Sequence, residues 1–430
     1  MSSLALISAM RGYTVSGSDV CAKKRYAELL ARNGIKMTHY HDIWNSVGYD
    51  VLVRTGAVSK DNPDVVTAHR AGIPVYTRSE FMGGMLSEYE KRTGVAGTHG
   101  KSTVSGMLAS IFDTSTVLIG AEALALGSSF RIGDNGHVIY EACEYKKAFL
   151  DMKPTEALIL NIEREHTDCY KTVSDAVNAY KGFISEAKSC ILFADDKNVM
   201  KLAPYAEGVV LFSLCDPKAD LYAENICENK GFYSFDAVWH GKTVFTATLR
   251  VSGIHNLKNA LAASAVALSN GIAPDKIKIG LEAFTGMKRR LEKLGVLNGA
   301  DVYDDYAHHP TEIKSTLSAL RKMGYAKIFC AFQPHTFSRT ASLFDEFTTA
   351  FGDADEVAFA DIFAARERNL YGVNSRELAN ATPNGVYIPS YDDILAYLIS
   401  HAENGCALLT IGAGELDAVG ERLASLGKNS

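Results

Sequence analysis

The sequence predicts an α/β protein built from successive parallel sheets, and three observations carry that prediction. Residues 94 to 106, GVAGTHGKSTVSG, have the make-up of a phosphate loop that opens a helix. From Tyr13 to about Arg92, before this loop, short apolar strands alternate with helical patterns, and after about Leu291 the alternation resumes. At 430 residues the chain exceeds one ordinary core, so two or three domains are expected.

In the first segment the stretches YTVSGSD and DVLVRTGAV read as strands, and KRYAELLARNG and NPDVVTAHRAGIPVY carry helical patterns, as in a Rossmann-like parallel sheet. The second segment runs from the phosphate loop to about Arg290. Its strands are HVIYEACE, EALILNIE and CILFADD, and HNLKNALAASAVALSNG is a helix. The third segment contains GVLNGADVYDDYAHHPTEI and alternates through KIFCAFQP, EVAFADIF and ALLTIGAG.

A phosphate loop needs glycines so that backbone N–H groups reach the phosphates, a lysine to neutralise charge, and a hydroxyl for Mg²⁺. Gly97, Gly100, Lys101 and Ser102 supply all three. The strict spacing would place a glycine at Val95, and Gly94 is the nearest, so the loop is a variant, with His99 as an extra feature. Behind it, Val104, Met107, Leu108 and Ile111 recur at i, i+3, i+4 and i+7, the spacing of an amphipathic helix. Lys101 is expected to face solvent and to contribute little to packing.

Forty-four basic against 50 acidic residues give a formal charge of −6, which offers no surface for nucleic acid and means that phosphate must be met locally. Eight cysteines (Cys21, Cys143, Cys169, Cys190, Cys215, Cys227, Cys330, Cys406) are scattered without a C-x-x-C pair, as for reduced thiols in a cytoplasm. No apolar stretch reaches the roughly 18 residues of a membrane span, and the first residues lack a basic signal-peptide region.

Hard oxygen ligands for a Mg·ATP site are offered at two strand ends: Glu141 and Glu144 in YEACEYK, and Glu163, Glu165, His166 and Asp168 in LNIEREHTDCY. In a parallel sheet both ends emerge beside the phosphate loop. Alone, each cluster is more often the solvated exit of a strand than a functional site. Likewise HNLKN reads either as a ligand-binding turn or as a buried helix capped by Asn256, and the histidine pair of DDYAHHP as chemistry or as a polar turn.

The ordered series GTHGKST, EACEYKKAFL, NIEREHTD, SGIHNLKNALAA, MKRRLEKLG, DDYAHHPTEI, FQPHTFSRT and DIFAARE resembles the Mur ligase family over nearly the whole chain. The resemblance implies a three-domain α/β architecture: a Rossmann-like UDP-sugar domain at 1–92, a central P-loop-type ATPase at 93–290, and a Rossmann-like closing domain at 291–430. It further implies ATP-dependent ligation of L-alanine to the carboxylate of UDP-N-acetylmuramate through an acyl phosphate, in peptidoglycan precursor synthesis. ATP would lie on Gly97, Thr98, His99, Gly100, Lys101, Ser102 and Thr103, with its adenine at His255, Asn256 and Asn259. Mg²⁺ would be held by Ser102 and Glu141, and a second ion by His166. Tyr306, His308 and Arg339 would face the substrates, with Lys101, His308 and Arg339 as catalytic groups and Asp304 and Asp305 orienting the histidine or the α-ammonium group.

Three departures accompany the resemblance. Many relatives have EADES where this chain has Glu141-Ala142-Cys143-Glu144-Tyr145, and an Asp-His pair where it has Glu165-His166. Relatives also place a strand and a glycine-rich turn before the helix that begins here at Ser2-Ser3-Leu4, so the chain reads as truncated at its start and is expected to bind the sugar nucleotide weakly. A sister ligase that adds a ready-made peptide to the same sugar and a nucleotide-binding protein without ligase activity are the rival readings. A folyl-polyglutamate-type ligase is disfavoured by DDYAHHP and HTFSRT.

Overall fold

The computed structural model describes residues 1–428 except 21–23, 43, 44, 46, 57, 164, 167, 168 and 366. Helix α1 (Ser2–Met10) precedes β1 (Ser16–Ser18), α2 (Lys24–Arg32), β2 (Lys36–Thr38), β3 (Leu52–Arg54), α3 (Pro63–Arg70), β4 (Val75–Thr77) and α4 (Arg78–Leu86). The expected single parallel sheet of this segment is instead two parallel ladders, β1 with β2 and β3 with β4. Each strand has three residues, and no described strand joins the pairs. The segment is anchored by α1, whose Leu4 and Ile7 pack with Met82, Met85 and Leu86 of α4 and with Leu118 and Tyr140 of the central sheet.

The central sheet is built on β5 (Lys91–Ala96), followed by α5 (Lys101–Ile111), β6 (Ser115–Ala123), β7 (Ser128–Arg131), β8 (Asp134–Glu141), β9 (Glu156–Ile159), α6 (Val173–Ile184), β10 (Ser189–Phe193) and β11 (Val209–Phe212). Three strands then extend it: β12 (Leu221–Asn229), β13 (Phe232–Trp239) and β14 (Lys242–Ser252). Its described order is β14-β13-β12-β11-β10-β9-β5-β8-β6-β7. Strand β5 pairs in parallel with both β8 and β9, so their carboxyl ends lie on either side of the phosphate loop. Side chains alternate between the two faces: Val95, Ile139 and Leu158 pack under α5, α7 (Ile254–Ser269) and α8 (Pro274–Ala283), while Ala96, Tyr140 and Ile159 pack toward α4 and α6. The antiparallel meander β12 to β14 has no counterpart in the sequence reading, because its strands are partly exposed and lack the continuous apolar runs of the buried ones.

The last sheet contains β15 (Glu292–Leu297), β16 (Ala300–Asp305), β17 (Lys327–Phe332), β18 (Glu356–Phe359), β19 (Gly385–Tyr387) and β20 (Cys406–Ile411), in the order β15-β16-β20-β17-β18-β19. Helix α9 (Pro310–Lys322) packs on one face, with Ile313, Leu317 and Leu320 against Ile328, Cys330 and Phe332. No described helix is long and apolar enough to cross a membrane.

Phe332 is fully buried, with its ring 5.6, 5.1 and 5.8 Å from those of Phe347, Phe351 and Phe359. Phe332→Ala is therefore expected to destabilise the last sheet by about 3 to 5 kcal/mol, seen as a lowered urea midpoint for its unfolding. An unchanged midpoint would contradict this packing.

Candidate active site

Strand β5 runs into Gly97, and α5 starts at Lys101 with Gly100 as its N-cap. Gly100 has φ +88°, and a Cβ there would stand 2.7 Å from Asn259 Oδ1, so both its conformation and its closeness to α7 require glycine. Asn161, just past β9, clamps the loop: its side-chain oxygen accepts from His99 N at 2.8 Å and its amide donates to His99 O at 3.0 Å. The sequence reading gave Asn161 no role, although it opens the quoted motif NIEREHTD.

Lys101 is not the solvent-facing residue that was expected. Its side chain is 12% exposed, and its ammonium donates to Glu144 Oε2 at 3.0 Å, to Thr98 O at 3.1 Å and to Gly97 O. Burial alone would lower its pKa, but the carboxylates of Glu144 and Glu141 outweigh that and hold it above its ordinary value. Ser102 Oγ donates to Glu141 Oε2 at 2.7 Å, and the same oxygen accepts from Gly120 N at 2.8 Å. His166 Nε2 lies 3.4 Å from Glu144 Oε1, and its ring is 4.7 Å from that of Tyr145. The structure thus joins Ser102 to Glu141, and both His166 and Lys101 to Glu144. Asp168 lies outside the described residues.

On α7, Gly253 occupies the N-cap, which corrects the alternative that Asn256 caps the helix. Asn256 instead donates to Ser252 O at 2.7 Å and accepts from Asn259 at 3.1 Å, placing Asn259 against the phosphate loop. Burial, aided by Lys258 and Arg290, pushes the His255 pKa down to about 4, so its imidazole is neutral.

Across the cleft, β16 ends in Asp304 and Asp305, and neither orients a histidine. Asp304 accepts from Arg289 Nε at 2.8 Å and from Thr410 Oγ1 at 2.6 Å. Asp305 accepts from the Leu291 and Ala307 N–H groups, both at 2.7 Å, and from Thr316 Oγ1 at 3.1 Å. They shape the loop that carries Tyr306 and His308. The Tyr306 ring lies beneath the guanidinium groups of Arg289 and Arg290, at 5.2 and 5.6 Å. His308 Nδ1 is 2.9 Å from Tyr306 O; a carbonyl only accepts, so Nδ1 carries the proton and Nε2 stays open. His309 caps α9 by accepting from Thr311 N at 3.3 Å.

Arg339 donates to Glu165 Oε1 at 2.8 Å, a contact between the last and central sheets, and its other arm meets His335. Although burial opposes it, Arg339 draws the Glu165 pKa down to about 2. A second link between the sheets runs through His99, whose Nδ1 is 3.1 Å from Glu312 Oε1 and whose Nε2 is 3.5 Å from Glu163 Oε2. His99, Glu163 and His309 bring ligand atoms within 4.8 Å of one another. Burial opposes charge on His99, but the carboxylates of Glu163 and Glu312 raise its pKa to about 9, so the imidazole is the cationic partner of both. A cavity of about 80 Å³ between α1, α4 and the end of β8 is lined by Ser3, Arg78, Met82, Gly120, Glu141 and Cys143.

Comparison with known proteins gives three matches along the chain: the Mur ligase family catalytic domain at residues 1–90, the Mur ligase middle domain at 95–267, and the Mur ligase glutamate ligase domain at 289–414. A UDP-N-acetylmuramate–L-alanine ligase from Caldicellulosiruptor saccharolyticus is 38% identical over 429 residues, covering 97% of this chain and 94% of the relative. One from Clostridium acetobutylicum is 40% identical over 438 residues, covering 99% and 95%. Among solved structures, a UDP-N-acetylmuramate–alanine ligase from Thermotoga maritima superposes with a TM-score of 0.85 at 24% identity, covering 100% of this chain and 96% of that one. A murein peptide ligase from Psychrobacter arcticus gives a TM-score of 0.74 at 24% identity, covering 100% and 97%.

The ion pair of His99 makes a pH prediction. A histidine raised from 6.5 to about 9 contributes stability that is complete below pH 6.5 and lost as pH rises through 9. His99→Gln is therefore expected to flatten the fall in melting temperature between pH 6.5 and 9 relative to the parent. Parallel curves would contradict a charged His99.

Proposed function

The chain belongs to the Mur ligase family, and on that premise we propose that it joins L-alanine to the carboxylate of UDP-N-acetylmuramate, giving UDP-N-acetylmuramoyl-L-alanine, ADP and phosphate in peptidoglycan precursor synthesis. The observation that carries the reading is the cleft between the central and last sheets: a phosphate loop lines one side, Tyr306, His308 and Arg339 the other, and Arg339 already holds a carboxylate, that of Glu165. Synthesis of this precursor is assigned to the cytoplasm, where ATP is supplied.

A carboxylate resists amines because its carbon is electron-rich and oxide is a poor leaving group. Attack of the sugar carboxylate oxygen on the γ-phosphorus of ATP breaks the bond to ADP and makes an acyl phosphate. The neutral amine of alanine then adds to the carbonyl carbon, and the tetrahedral intermediate expels phosphate to leave the amide. Lys101 exchanges Glu144 for the terminal phosphates and offsets their charge during transfer. The hydroxyl of Ser102 and the carboxylate of Glu141 are hard oxygen donors that fit Mg²⁺, which supplies further charge neutralisation at the phosphates when bound. His166, now beside Glu144, would hold a second ion and so add charge neutralisation at the phosphates. Gly97 to Thr103 cradle the phosphates, and His255, Asn256 and Asn259 lie on the adenine side.

For the second step, Arg339 exchanges Glu165 for the carboxylate of alanine, since its fork suits two parallel hydrogen bonds. Burial, with Arg339 adding, keeps the His308 pKa below its ordinary value against the pull of Glu312. His308 is then neutral, and Nε2 can take the proton that the amine loses. The cavity beside Glu141 and Arg78 is the side from which the sugar carboxylate is proposed to reach the γ-phosphate.

ADP release with UDP-N-acetylmuramate and either alanine or a muropeptide-type tripeptide tests the reading. Turnover with alanine supports it; turnover with the tripeptide alone makes the chain a peptide-adding ligase, and none with either removes the ligase assignment. Lys101→Ala is expected to lower alanine-dependent turnover by about 10³-fold or more. It also lowers the urea midpoint, because Glu144 loses its ammonium partner. Turnover within a few fold of the parent would sink the role of Lys101.

A further inference from the structure

One carboxylate joins both sides of the cleft, and neither the phosphate loop nor the substrate residues account for it. Glu312 lies in the first turn of α9, 14% exposed, and both of its oxygens are engaged. Oε1 is 3.1 Å from His99 Nδ1 and 3.5 Å from Arg290 Nη1. Oε2 accepts from His308 N at 3.1 Å and lies 3.5 Å from His308 Nδ1. Arg290 in turn lies over Tyr306. Burial of a lone carboxylate would be costly, yet these partners hold the Glu312 pKa well below the ordinary carboxylate range.

We infer that Glu312 is a positioning residue for the ligation: its carboxylate ties the phosphate loop to the loop carrying Tyr306 and His308 and so sets the spacing between the transferred phosphoryl group and the amine's proton acceptor. The inference rests on the ligase reading. A residue that only filled the first turn of α9 would need no partner 213 residues away. An α9 carboxylate bound to both loops makes the spacing one fixed value, and near-attack geometry is sensitive to shifts of about 1 Å.

Two measurements on the full chain test this in the parent, E312Q, H99Q and the double variant. In the first, kcat for alanine-dependent ADP release is expected to fall about tenfold in each single variant and no further in the double, with KM for ATP in E312Q within about threefold of the parent. Independent losses that multiply to about a hundredfold in the double variant would overturn the coupling. The second reads amide hydrogen exchange of the phosphate loop, which needs no turnover. E312Q is expected to speed exchange at residues 98–102, and unchanged exchange there would overturn the inference even if the ligase reading stands. If E312Q does not fold, H99Q carries the same test in reverse, with faster exchange expected at residues 306–312 and unchanged exchange overturning the proposal. Loop exchange that responds in a protein without alanine-dependent turnover would uphold the tie and reject the ligase reading alone.

Discussion

The site depends on keeping a buried ammonium charged where a triphosphate must arrive. A chain of net charge −6 has no general attraction for ATP, so positive charge has to be concentrated in the phosphate loop. Lys101 is held there by Glu144, Gly97 O and Thr98 O. An unpaired charge at that depth would cost several kcal/mol. On the proposed reading, the carboxylates that keep the lysine charged are also the groups that would yield to phosphate or hold metal, so one cluster would serve both purposes.

Sheet order makes this cluster local. Because β5 lies between β8 and β9, the ends of these three strands deliver Lys101, Glu141, Glu144, Asn161 and Glu163 to one edge, although they span more than sixty positions of sequence. The last sheet reaches the same edge through ionic contacts that include Arg339 to Glu165 and His99 to Glu312. Both pair a cationic side chain on one sheet with a carboxylate on the other, so the two sheets meet through buried charge.

The parts legible in the sequence were those set by short-range spacing. The glycines, Lys101 and Ser102 are contiguous, and the helix behind them repeats its apolar residues within two turns, so loop and helix could be read together. The acidic strand ends could also be read, because a parallel sheet sends them to one edge. The position of Lys101 was misread, since its burial depends on Glu144, forty-three residues on. Asp304 and Asp305 look like orienting groups beside DDYAHHP but are engaged by Arg289, Thr410 and backbone N–H groups that sequence spacing does not reveal. The meander β12 to β14 escaped for a different reason: its half-exposed strands carry a weak apolar signal.

The central claim is that phosphate is spent on a carboxylate rather than lost to water. The direct measurement uses UDP-N-acetylmuramate carrying ¹⁸O in both carboxylate oxygens, with ATP and alanine, and mass analysis of the phosphate released. Passage through an acyl phosphate transfers one labelled oxygen to each phosphate and leaves the other in the amide. Phosphate released without label would show that ATP is hydrolysed by water, and the account of the cleft as a ligase site would be wrong.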